Sequence, residues 1–252
     1  MAYMKMSFFS ETLGMATEAG VMLPLNAPPA AERDGKFPVL YLLHGLGGDH
    51  TEWTRHSAIE RYAENRGLAL VLPRADRSYY TDMKQGGAYF TYLSEELPRL
   101  IQRAFAVSDR REDTFVAGIS MGGYGAFKLA LRHPQRYAAA ASLSGGLDIV
   151  RRVSGPNSFQ PGEAARIFGP ADELRGSGDD LFALAGRAAE AEVQPRFYQC
   201  CGTEDIMYDG NRAFLDRAVS AGLDISYEEG PGGHEWDYWD RQLTRILDWL
   251  PL

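Results

Sequence analysis

The stretch Thr114-Phe-Val-Ala-Gly-Ile-Ser-Met-Gly-Gly123 decides how the rest of the chain is read. An apolar run ends at Gly118, and a helical pattern starts at Met121 and continues to Arg132. Between them, Gly118-Ile119-Ser120-Met121-Gly122 fits G-x-S-x-G. In a strand–turn–helix context this spacing puts a serine on a tight turn with its hydroxyl exposed at the strand end. The chain reverses so sharply that side chains two residues before and after the serine would collide, so glycine suits both places. Ser120 is therefore the candidate nucleophile, and the following helix presents its positive dipole end to a developing oxyanion.

Outward from this point the chain alternates. Compact apolar runs stand at Pro38-Val-Leu-Tyr-Leu-Leu43, Leu68-Ala-Leu-Val-Leu72, Tyr137-Ala-Ala-Ala-Ala-Ser-Leu143, Arg196-Phe-Tyr-Gln-Cys-Cys201 and Asp224-Ile-Ser-Tyr227. They are mostly continuous, as expected for strands buried on both faces of a parallel sheet. Two strands over residues 4–13 and 15–23 precede them as an antiparallel hairpin. Helical patterns cover 57–66, 88–105, 121–132, 211–221 and 236–249, with Pro98 expected to kink or restart the second. Residues 26–35 read as a loop. This order predicts right-handed crossovers and a doubly wound, mostly parallel α/β sheet. Residues 147–195 break the rhythm with Gly/Pro pairs and an Ala-rich helix near 181–192. They are read as an inserted lid or pocket wall within a single domain spanning 1–252.

Composition fits that reading. With 252 residues, 45% hydrophobic and 24% charged, the chain can bury one large core, which excludes disordered, collagen-like and coiled-coil classes. Its net charge of -8 disfavours nucleic acid or an anionic membrane as the main partner. Cys200 and Cys201 are sequence neighbours, so neither a disulfide framework nor a cysteine metal cluster is expected, in keeping with a reducing compartment. No signal peptide and no membrane span is read, and the expectation is a soluble, cytoplasmic protein.

A serine hydroxyl needs a general base oriented by an acid. Of five histidines, His234 in Gly230-Pro-Gly-Gly-His-Glu-Trp236 lies between the last strand and the last helix, where a loop can carry imidazole over Ser120. His133 reads as a helix-end residue, His50 and His56 flank Trp53 in a loop, and His44 orders the turn after the first long strand. Asp205, in Gly202-Thr-Glu-Asp205, sits between Ser120 and His234 in the chain at a strand's end and is favoured as the acid, with Asp148 as its rival. Glu204 should point away, and Asp209 should cap the next helix. The order Ser120, Asp205, His234 excludes the chymotrypsin and subtilisin arrangements. An oxyanion hole needs two backbone donors. Met121 supplies one, and the His44-Gly-Leu-Gly-Gly48 loop supplies the other, assigned to Leu46.

These residues resemble the tributyrin esterase and esterase D-like group of α/β-hydrolases, related to S-formylglutathione hydrolase. The resemblance is carried by Tyr41-Leu-Leu-His-Gly-Leu-Gly-Gly-Asp-His50 with Trp53, Ala117-Gly-Ile-Ser-Met-Gly-Gly-Tyr-Gly125, Gly202-Thr-Glu-Asp205 and Gly233-His-Glu-Trp236. It implies an α/β-hydrolase fold and a serine carboxylesterase for short acyl esters, with Ser120, Asp205 and His234 as triad and no metal or cofactor. The implied partner is a small-molecule ester, and a homo-oligomer is left open. S-formylglutathione hydrolases usually carry a cysteine in the oxyanion loop, where this chain has Leu46-Gly47-Gly48. Thioesterase, sugar acetyl esterase and feruloyl esterase readings remain as alternatives. Trp53 and Tyr80, with Tyr79, are candidate pocket residues. Trp236 and Trp239 read as core packing, and Glu95 and Glu96 as a solvated helix face.

Overall fold

The computed structural model describes residues 1–26, 34–155, 159–188 and 191–252. Eight strands form one sheet in the order β1-β2-β4-β3-β5-β6-β7-β8. β1 (Ala2–Ser10) and β2 (Met15–Leu23) make the antiparallel hairpin, and β2 joins the sheet antiparallel to β4 (Ala69–Pro73). β3 (Val39–Leu43), β4, β5 (Thr114–Ile119), β6 (Ala139–Leu143), β7 (Arg196–Gly202) and β8 (Ile225–Gly230) run parallel. The expected doubly wound α/β sheet and its N-terminal hairpin are thus present.

The continuous apolar runs follow from burial on both faces. In β3, Val39, Tyr41 and Leu43 face one core, and Leu40 and Leu42 the other. The first core is covered by α5 (Met121–Arg132) through Tyr124, Phe127 and Leu131. The second is covered by α2 (Ile59–Glu64) and α11 (Trp236–Trp249) through Ile59, Trp239, Leu243 and Ile246.

Two expectations are corrected and a third is met. The helix read over 57–66 is shorter, α2 alone, and an unexpected helix, α1 (Glu52–His56), precedes it, because Ser57 is extended and its hydroxyl donates to the Trp53 carbonyl (2.7 Å). The helix read over 88–105 restarts at Leu97 with Pro98 in the first turn of the new segment, as expected. It runs as α3 (Tyr89–Thr91), a π turn (Tyr92–Glu96) and α4 (Leu97–Ala104). The wider turn lies over the carbonyls that a proline ring would otherwise strike. Glu96 is not a solvated side chain. Its carboxylate accepts from the Ser10 hydroxyl (2.5 Å) and the Glu11 and Thr12 amides (2.8 and 3.2 Å), fixing the β1–β2 turn. Neighbouring Glu95 pairs with Arg136 (2.6 Å).

Between β6 and β7 lie α6 (Ile149–Ser154), α7 (Glu163–Phe168), α8 (Ala171–Leu174) and α9 (Leu181–Ala188). Part of the loop read at 26–35 and of the helix read to 192 falls outside the described residues. Phe168, Leu174 and Leu181 join the α5-side core, so these helices are fastened to the sheet. Lys128 of α5 is buried beneath them, contacting Asp179 Oδ1 (2.5 Å), the Thr81 hydroxyl (2.7 Å) and the Tyr80 carbonyl (3.2 Å). Burial lowers its ammonium pKa to about 8, against the opposing pull of Asp179.

Lys128 makes a pH-dependent contribution to stability. Its folded pKa lies below the unfolded value, so between the two the unfolded chain holds a proton that the folded chain lacks. Stability therefore rises with pH in that window. Chemical denaturation of wild type and Lys128→Met should show the wild type gaining on the variant by on the order of 2–3 kcal/mol from pH 8 to 10. A constant difference would contradict the buried ammonium.

Candidate active site

β5 ends at Ile119, and Ser120 takes φ 51° and ψ -113° before α5 begins. Both flanking glycines are required by contact. A Cβ on Gly118 would lie 2.4 Å from the Gly122 carbonyl carbon, and one on Gly122 would lie 2.4 Å from the Leu43 carbonyl oxygen. The second contact brings the start of α5 against the end of β3, where the His44–Gly48 loop leaves the sheet. Ser120 is held from the β6 side. Its N–H donates to the Leu143 carbonyl (2.9 Å), and its carbonyl accepts from Gly146 N–H (3.0 Å).

The structure brings Ser120, His234 and Asp205 together. His234 Nε2 lies 2.9 Å from Ser120 Oγ, and Nδ1 lies 3.0 and 3.1 Å from the two Asp205 carboxylate oxygens. Asp205 is buried just beyond β7, and its Oδ1 also accepts from Met207 N–H (2.7 Å). Burial pushes its pKa up, but hydrogen bonds from His234, the Ser144 hydroxyl and Met207 N–H outweigh this and hold it below the usual carboxylate value. A carboxylate at Asp205 accepts from Nδ1–H, which leaves the Nε2 lone pair to accept from the Ser120 hydroxyl. The acid and base loops touch through the main chain. A Cβ on Gly202 would come within 2.0 Å of the Gly232 carbonyl oxygen.

The His44–Gly48 loop is pinned on several sides. His44 Nε2 accepts from Ala75 N–H (3.0 Å), so Nδ1 carries the proton and donates to the Gly45 carbonyl (2.8 Å). Burial lowers the His44 pKa, in keeping with a neutral ring. Gly45 N–H donates to Glu52 Oε2 (2.8 Å). Among the described residues, the N–H groups of Leu46 and Met121 donate to no protein acceptor.

Several expectations are redrawn. Trp53 and Tyr80 do not line a pocket. They are 1% and 0% exposed, and they brace the loop by donating to the Leu43 carbonyl (3.1 Å) and the His44 carbonyl (2.9 Å). Tyr79 packs in a ring cluster with Tyr124, Phe159 and Phe168. Asp148 caps α6 through Arg151 N–H, and exposed Asp209 lies in the first turn of α10 (Tyr208–Ser220). Glu204 faces Gly232 N–H (3.1 Å). His133 ends α5 and stacks on Phe90. His50 is buried near Glu18 (3.8 Å), and His56 stacks on Trp236. Cys200 and Cys201 are free and buried, the second thiol pushed up to about 12 by burial.

Sequence reading missed Glu52, Ser144 and Lys128. Ser144 adopts φ 49°, its hydroxyl oxygen accepts from Trp239 Nε1–H (3.0 Å), and the Trp239 ring meets His234 edge-on at 4.9 Å. The pattern that could have flagged it is Ser144-Gly-Gly146, a second strand-end turn like that at Ser120.

The sheet order, the antiparallel hairpin and the flanking helices make this an α/β-hydrolase fold, and comparisons identify a carboxylic ester hydrolase. A fluorophosphonate-binding serine hydrolase of Staphylococcus aureus matches with a TM-score of 0.89 and 31% identity, over 99% of this chain and 98% of its own. The S-formylglutathione hydrolase of the same organism matches with a TM-score of 0.86 and 31% identity over the same shares. An acetyl esterase of Caldicellulosiruptor saccharolyticus is 30% identical over 99% of this chain and 98% of its own length. The family model described as "Putative esterase" covers residues 10–250, and the chain belongs to that esterase family. Among the described residues, no helix is long and apolar enough to cross a membrane.

Proposed function

We propose that this esterase is a serine carboxylesterase for short acyl esters, acetyl to butyryl, working through Ser120, His234 and Asp205. The observation that carries the reading is the unbroken hydrogen-bond chain from the buried Asp205 carboxylate through both imidazole nitrogens to Ser120 Oγ. In this mechanism Ser120 Oγ attacks the ester carbonyl while His234 Nε2 takes the hydroxyl proton. Asp205 holds the imidazole tautomer and stabilises the imidazolium. The Leu46 and Met121 amides receive the oxyanion. His234 then protonates the departing alcohol, and water, activated by the same imidazole, hydrolyses the acyl-enzyme.

Residues 147–195 are proposed as the wall over this site. Gly146, whose amide holds Ser120, leads into Leu147 and α6. Leu147, Arg152, Ile206 and Met207 border a cavity of about 220 Å³ next to the Asp205 loop. The acetyl esterase relative supports a small acyl group, whereas the S-formylglutathione hydrolase neighbour supports a thioesterase as the second reading.

A p-nitrophenyl ester series from acetyl to decanoyl, run beside S-formylglutathione, sugar acetates and a feruloyl ester, separates these readings. The expected kcat/KM peaks between acetyl and butyryl and exceeds that for S-formylglutathione. A preference for S-formylglutathione would replace the carboxylester reading with the thioester one.

A further inference from the structure

The triad follows the C-terminal ends of β5, β7 and β8. At the opposite edge of the sheet lies a separate cavity of about 310 Å³, beneath the π turn and α4, where Thr114 starts β5 and Tyr137 precedes β6. Tyr41 and Tyr137 are only 3% and 2% exposed, and both line it. Neither phenol hydroxyl has a hydrogen-bond partner among the described residues, and neither is sealed from the cavity. Burial raises both phenol pKa values, so both hydroxyls keep the proton they can donate. Both hydroxyls are therefore donors open to a ligand in the cavity.

The rim of the same cavity is cationic. Exposed Arg99 and half-buried Arg136 both pair with Glu95 (3.3 and 2.6 Å). Arg111 donates to the Pro134 and Gln194 carbonyls (2.9 and 3.0 Å), with the Glu112 carboxylate close enough to feel its charge. Arg99, Arg110, Arg111, Arg136 and Lys36 stand against the carboxylates of Glu95, Asp109, Glu112 and Asp113, so one positive charge is in excess. Glu95 is held ionised by Arg136, and Asp109 by Lys36. A guanidinium matches a carboxylate in two-point geometry, and a single excess charge suits a monoanion better than a phosphate dianion. The tyrosine rings and Pro98 supply apolar walls.

We propose that this cavity is a second, non-catalytic binding site for a small aromatic monocarboxylate, with its carboxylate at the arginine rim and a polar group reaching the Tyr41 and Tyr137 hydroxyls. The ligand lies at the opposite end of the strands from Ser120, so it does not compete with an ester.

The experiment uses the full chain, with 4-hydroxybenzoate as the probe in isothermal titration and with benzoate, phenol and inorganic phosphate as comparison ligands. The expected result is one-to-one binding of 4-hydroxybenzoate without competitive inhibition of p-nitrophenyl butyrate hydrolysis. Benzoate, phenol and phosphate should each bind more weakly. Tyr41→Phe/Tyr137→Phe keeps both rings and should weaken the probe by about tenfold or more while leaving ester turnover unchanged. Arg99→Gln, on an exposed side chain, should weaken both carboxylates and spare phenol. Equal affinity in wild type and both variants overturns the proposal. So does competitive inhibition, which would put the probe at Ser120, a preference for phosphate, or no saturable binding at millimolar probe.

Discussion

Ser120→Ala is expected to reduce p-nitrophenyl acetate and butyrate turnover by about 10⁴–10⁶ in kcat, with the thermal midpoint close to wild type. The size follows from how many roles end at one oxygen. Ser120 Oγ is the atom that would bond to the acyl carbon, and it is the donor to His234 Nε2 at 2.9 Å. Alanine keeps the backbone contacts to Leu143 and Gly146 and leaves the amides of Leu46 and Met121 in place. The remaining rate is then what oxyanion donation and binding alone provide. The tight turn at Ser120 is fixed by its glycine neighbours, and alanine adds no atom there. Near-wild-type turnover in this variant would remove the serine mechanism altogether.

Asp205→Asn should cost about 10⁴ in kcat with little change in fold. Met207 N–H already occupies Oδ1, so the asparagine amide nitrogen is driven to the other position, facing His234 Nδ1. An N–H there forces Nδ1 to accept, which puts the imidazole proton on Nε2 and aims it at Ser120. The base then has no lone pair for the hydroxyl. Asp148→Asn is the matched control, because Asp148 caps α6 and asparagine caps a helix about as well. Its turnover should stay near wild type. Loss of activity in Asp148→Asn with retention in Asp205→Asn would reassign the acid.

Much of this site could be read from the chain because its parts are local. The turn at Ser120 is written in five consecutive residues, and the acid and base each follow an apolar run that the two-sided sheet forces to be continuous. The parts that escaped are set by distance in sequence. Lys128 meets Asp179, and Ser144 meets Trp239; the turn at Ser144 has a local pattern, but neither distant partner is signalled by the residues around it. Trp53 and Tyr80 lie in loops, which suggested a pocket. Their polar atoms bond to main-chain carbonyls, and such partners leave no trace in sequence. Glu96 was misread for the same reason, since its acceptors' partners are hairpin amides some 85 residues away. Pro98 was expected to kink or restart its helix, and α4 does start at Leu97, but the π turn before it left no mark in the sequence.

The edge-on contact between His234 and Trp239 gives the active site its own optical readout. A protonated imidazole held against an indole drains its excited state, whereas a neutral one does so far less. Trp239 also adjoins Trp236, which in turn meets Trp53, so three of the four tryptophans form one ring-to-ring series ending at the base. Emission from this series is expected to respond to a positive charge on the His234 ring, so a pH titration of tryptophan fluorescence, compared between the wild type and His234→Ala, reads that ring in the native protein.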